Sequence, residues 1–174
     1  EDVANFTALV KSIRAAIGDR YELNFAAGGF TRFLEESIDW KAITPLVDRI
    51  NLMTYDLVNG YSKVTGHHTA LHTVPQLPEA TDNCVENLLK KGVPASKLVI
   101  GAAFYARVWK NVPDINHGLF QPGDFKNSVS FREFDKVFSR EQGFVSYWDE
   151  AAQAPYSYSA ARKEFATYDN RRSI

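Results

Sequence analysis

Apolar residues recur at Val3, Phe6, Leu9, Val10, Ile13 and Ile17, the three-and-four spacing that keeps one stripe of a helix out of water, and Gly18-Asp19 supplies the stop. The pattern predicts a helix over residues 3–17. The period then changes. Residues 21–28 pass through Leu23, Phe25, Ala26 and Ala27 into Gly28-Gly29, which predicts a strand ending where small residues let another group approach the backbone. Residues 39–47 read as a short helical segment leading into Ile50-Asn51-Leu52-Met53-Thr54-Tyr55-Asp56, an apolar run of strand length with Asn59-Gly60 as the turn beyond it. Alternation along this run puts Asn51, Met53 and Tyr55 on one face, Leu52 and Thr54 on the other, and Asp56 at the carboxyl end. Val85, Leu88 and Leu89 before Gly92 predict a second long helix over residues 79–91, and residues 98–107 predict a third strand.

Helix and strand alternating at this spacing is the βαβ pattern of a parallel sheet covered on both faces, so the fold class is α/β, with ligands expected at the carboxyl ends of the strands. Three strands do not close a barrel, and a full (β/α)8 barrel takes about 250 residues. From Val108 onward the pattern changes again. Gly118, Pro122-Gly123, Asn127-Ser128, Gly143 and Pro155 separate aromatic-rich pieces. Phe144-Val145-Ser146-Tyr147-Trp148 has the period of an antiparallel strand, and Phe131, Phe134, Val137 and Phe138 have helical spacing. A small α+β unit is therefore expected here.

Composition narrows the function classes. With 174 residues, 45% hydrophobic and 13% aromatic, the chain has ample material for a packed core and is not disordered. Its 20 basic and 21 acidic residues are interspersed, with no basic run longer than Arg171-Arg172, which argues against a nucleic-acid or acidic-membrane partner. No stretch approaches the roughly 20 apolar residues of a bilayer span. The first residues, Glu1-Asp2, are not a signal peptide, and the absence of a starting Met suggests a mature or excised piece. The lone Cys84 cannot form an internal disulfide, which leaves the compartment open. No Gly-x-Gly-x-x-Gly or Walker loop is present, and no cofactor is expected. His67, His68 and His72 lie between Gly66 and Pro75 without an HExxH pattern or a nearby acidic ligand, so a loop is expected there and no metal site.

Met53-Thr54-Tyr55-Asp56, followed by Gly60-Tyr61 and Gly66-His67, resembles the sixth barrel strand of family 18 glycoside hydrolases, the chitinases and their relatives. Residues 23–28 resemble strand five. Residues 98–107 resemble strand seven, whose Gly-x-x-x-Tyr-Gly-Arg pattern is kept at Gly101, Tyr105 and Arg107, with Ala106 in place of the second glycine. Ser130-Phe131-Arg132-Glu133-Phe134 and the stretch from Trp148 to Tyr156 resemble motifs of the α+β insertion carried by a subgroup of the family. The resemblance implies a fragment of a (β/α)8 TIM barrel with strands five to seven. It divides the chain into a partial barrel at 1–109, the insertion at 110–165 and a return to the barrel at 166–174. The missing barrel half would belong to the full-length chain.

It also implies an activity: hydrolysis of chitin or other β-1,4-linked N-acetylglucosamine oligosaccharides, outside the cell or in the periplasm. In this family the substrate's own 2-acetamido oxygen attacks the anomeric carbon, so the enzyme supplies one acid. That acid is a Glu closing an Asp-x-x-Asp-x-Asp-x-Glu motif on strand four, which this sequence does not contain; residue 1 is expected to lie just past it. By resemblance, Tyr55 aligns the acetamido group and Asp56 accepts hydrogen bonds from the sugar. Asp56 is expected to stay ionised among polar donors. Met53 lines the pocket floor, Tyr105 and Arg107 bind sugar hydroxyls, and Glu133 closes one wall of the cleft. Plainer readings stand beside each of these: Met53 as core, Tyr55-Asp56 as a strand end whose carboxylate caps a turn, Arg107 as a surface ion pair and Glu133 as a solvated charge. At the level of the whole protein the alternatives are a chitinase-like lectin without catalysis and an unrelated small α/β protein.

Overall fold

A computed structural model describes residues 2–174. The chain forms two compact units that interleave in sequence. The first unit runs to Thr54 and resumes over Thr81–Gly101. Its centre is a parallel sheet of β1 (Asn24–Gly28), β2 (Arg49–Met53) and β3 (Leu98–Ile100) in that order. Helices α1 (Asp2–Ile17), α2 (Thr31–Glu36), α3 (Trp40–Ile43) and α4 (Thr81–Lys90) belong to the same unit. Ile50 and Leu52 are fully buried on one face of β2, as the alternation requires, and pack with Val10, Leu34, Trp40, Ile43, Cys84 and Leu88. Leu9, counted in the apolar stripe of α1, is largely exposed.

Polar groups fix the links between these elements. The Asp39 side chain caps α3 by accepting from the Ala42 N–H, and Lys97 Nζ donates to the carbonyls of Thr44 and Val47 at 2.8 and 2.6 Å. At Gly29 a Cβ would lie 2.6 Å from the Met53 carbonyl oxygen, so the close backbone approach expected at Gly28-Gly29 is real and its partner is the end of β2.

The strand boundaries differ from those the sequence suggests. β1 begins at Asn24, not at residue 21, and β2 ends at Met53, where it pairs with Gly28, the last residue of β1. Tyr55 and Asp56 are therefore beyond the strand, and Asp56 adopts a left-handed backbone with φ 58°. The single strand expected over residues 98–107 is two strands. The Gly101 N–H closes the parallel ladder on Leu52 O at 2.9 Å, and Tyr105 begins a different sheet.

The second unit comprises Tyr55–Ala80 and Ala102–Ile174. Its antiparallel sheet contains β4 (Tyr105–Lys110), β5 (Asp124–Ser130), β6 (Val145–Asp149), β7 (Ala154–Ser159) and β8 (Glu164–Thr167), in the order β5-β4-β8-β7-β6. Alternate residues feed opposite faces. Trp109, Tyr156, Tyr158 and Phe165 pack on one face with Val58, Ala70, Leu77 and Ala80 from the 55–80 segment. Ala106, Val108 and Ala166 pack on the other with Phe138, Phe144 and Tyr168, beside the short helix α5 (Phe134–Val137). The aromatics of this unit thus build its core, because a small sheet needs large rings on both sides to bury enough surface. Among the described residues no helix is long and apolar enough to cross a membrane.

Candidate functional site

The same alternation explains the site. Tyr105 and Arg107 share the β4 face that carries Trp109, and this is the face the 55–80 segment covers. Asp56, near the start of that segment, meets both. Arg107 grips the carboxylate with two charge-assisted bonds, Nε to Oδ1 and Nη2 to Oδ2, each 2.7 Å. The Tyr105 hydroxyl donates to Oδ2 at 2.8 Å. The remaining arm of Arg107, Nη1, donates to Ser128 Oγ at 2.7 Å across the β4–β5 register. The guanidinium also lies over the Tyr105 ring, 4.9 Å from its centroid. Tyr55 stands edge-on to Tyr105, with ring centroids 6.2 Å apart.

These contacts set the charges. Burial pushes the Asp56 carboxyl up, but the neighbouring His68 ring, the hydrogen bonds from Arg107 and Tyr105 and the Arg107 charge more than offset it and hold the group well below the usual carboxylate range. Burial and then the bond to Asp56 raise the Tyr105 phenol, and the bond to Asp56 raises Arg107. The site is therefore a fixed carboxylate–guanidinium–phenol cluster in which Asp56 stays ionised. With side chains 29% and 22% exposed, Asp56 and Arg107 are shielded enough for the pair to matter more than a surface bridge.

A pH prediction follows from the sign of the shift. A carboxyl depressed in the folded state contributes stability that is complete above its unfolded value of about 3.9 and is lost as pH falls through the lower folded value. Asp56→Asn is expected to cost about 1.5–3 kcal/mol near pH 6, with the gap to wild type narrowing as pH drops below about 4. Urea unfolding at a series of pH values measures it; a constant gap would mean that Asp56 is not the paired group.

The other expected residues fall differently. Met53 ends β2 in the parallel-sheet unit, half-buried. Glu133 lies in the turn after β5, about half exposed, and its ion pair is with Arg132 at 3.4 Å. His67 and His68 are in an irregular segment, as expected, but both are fully buried. His67 Nε2 is 2.9 Å from Asp149 Oδ2, a bond that pulls the Asp149 carboxyl down. Its ring packs against Phe120 and Tyr156. Among the described residues no group of three His, Cys, Asp or Glu is arranged to hold a metal ion. Two residues of the cluster escape sequence reasoning: Ser128, visible only from strand register, and His68, which contacts Asp56.

The chain belongs to the glycosyl hydrolases of family 18, whose family model matches residues 1–174. Among its relatives, it is similar to chitinase A1 of Niallia circulans, 30% identical across the whole of this chain and 28% of that protein. It is also similar to the oviduct-specific glycoprotein of Homo sapiens, 27% identical over 87% of this chain and 23% of that protein. Among solved structures, an N-acetylglucosaminidase of family 18 from Paenibacillus barengoltzii superposes with a TM-score of 0.88 at 37% identity, covering 98% of this chain and 52% of that one. The chain thus spans about half the length of that solved relative and less of the curated ones.

Proposed function

We propose that this chain is the part of a chitinase or related N-acetylglucosaminidase that orients the substrate for its own attack. The parallel strands β1, β2 and β3 correspond to strands five to seven of the family's barrel, with the insertion over 110–165. The proton donor, a Glu of strand four, is supplied by sequence outside these 174 residues. Tyr55 hydrogen-bonds the 2-acetamido group and turns its oxygen toward the anomeric carbon, forming a cyclic intermediate that water opens with net retention. Asp56 accepts hydrogen bonds from the sugar while Arg107 and Tyr105 keep it ionised. Met53 lies beneath the acetamido methyl, and Glu133 is at the cleft wall. Because chitin is an insoluble polymer, the protein acts outside the cell or in the periplasm.

The observation that carries this reading is the Asp56 cluster. Two bonds from Arg107 and one from Tyr105 fix a carboxylate beside Tyr55, at the end of the Met-Thr-Tyr-Asp stretch. A charge held this firmly suits recognition of hydroxyl and amide groups and unsuits Asp56 as an acid, since it would give up no proton near neutral pH. A second reading is a lectin that binds the same sugars through the same Asp56 cluster without turnover. Proton NMR of chitotetraose digested by the full-length protein separates them. The β-anomer appearing first is the expected result; the α-anomer first would refute substrate assistance, and binding without cleavage would favour the lectin.

A further inference from the structure

We infer that His68 is a positioning residue for Asp56. This rests on the reading of Asp56 given above. The ring is fully buried, yet its Nε2 has no hydrogen-bond partner among the described residues. Its other nitrogen, Nδ1, makes all its polar contacts with one residue: it faces the Asp56 N–H at 3.5 Å and Asp56 Oδ1 at 3.7 Å. A buried imidazole with one idle nitrogen is costly, and such costs persist where another requirement holds the group in place. That requirement is visible at Asp56, whose left-handed backbone is a second local cost.

The surroundings of the ring are built to keep it there. The His68 N–H donates to Thr167 Oγ1 at 3.1 Å, and the His68 carbonyl accepts from the Leu57 N–H at 3.2 Å, so residues on either side of the loop are tied together at this point. The imidazole also packs against the Tyr105 ring, with centroids 5.4 Å apart and planes tilted by 39°. Asp169, the other carboxylate acting on the ring, is itself held by Ser173 Oγ at 2.7 Å. His68 thus braces the Asp56 main chain from one side while Arg107 and Tyr105 hold the carboxylate from the other.

The test uses two variants of similar size. His68→Asn places an amide, able to donate or accept, where Nδ1 sits; His68→Gln places it nearer the Nε2 position and leaves Asp56 unsupported. In the full-length protein acting on a chitobioside, His68→Asn is expected to keep kcat/KM within about threefold of wild type and His68→Gln to lose at least about tenfold. Made in an Asp56→Asn background, His68→Gln is expected to add less than about twofold, because the group it serves is already gone. Equal losses for Asn and Gln, a His68→Asn protein that does not fold, or additive losses in the double variant would each overturn the role of His68. If Asp56→Asn alone leaves kcat/KM unchanged, the reading of Asp56 fails first and the inference with it.

Discussion

Tyr55→Phe in the full-length protein is expected to lower kcat about 10²-fold while moving KM by no more than about threefold. The ring itself is held by packing, edge-on to Tyr105, so removing one oxygen leaves the site's shape intact. In the proposed mechanism, what is lost is a donor whose bond strengthens as the acetamido oxygen attacks and charge spreads over the amide. An interaction made mainly in the transition state appears in kcat and spares ground-state binding. Steady-state kinetics on chitooligosaccharides check it. An unchanged kcat would remove Tyr55 from the chemistry, and a loss confined to KM would make it a binding residue only.

The groups that carry this account were legible in unequal degrees. Ile50 and Leu52 announce a buried strand through their alternation, and the helix spacing around them announces a parallel sheet; both follow from local periodicity, which a single sequence contains. Tyr55 and Asp56 stand out because a phenol and a carboxylate close an apolar run. Their departure from the strand is not visible, since the ladder ends where the neighbouring strands end, at Gly28 and at Ile100. Periodicity also pairs Tyr105 with Arg107 on one face but is silent about which sheet they join. The break at Gly101 depends on a hydrogen bond to Leu52. Ser128 and His68 enter the cluster through strand register and loop closure, contacts between residues 21 and 12 positions apart that leave no trace in composition. Glu133, expected at the cleft wall, pairs with the neighbouring Arg132, a contact that the sequence pattern does not reveal.

The second large effect concerns the division of labour between this chain and the rest of the protein. In the proposed mechanism substrate assistance provides the nucleophile, but departure of the sugar alkoxide still needs a proton donor, and general acid help is worth about 10²–10⁴-fold. Asp56 is held ionised by its three bonds from Arg107 and Tyr105, so it does not supply that proton. The outer strands β1 and β3 of the parallel sheet each have one unpaired edge in these residues, which favours association with a complementary partner or aggregation. The direct measurement is a fluorogenic chitobioside assay of the full-length protein and of residues 1–174 side by side. Turnover by the former and a rate no greater than the buffer blank for the latter is the predicted result; turnover by residues 1–174 that disappears on Asp56→Asn would contradict it.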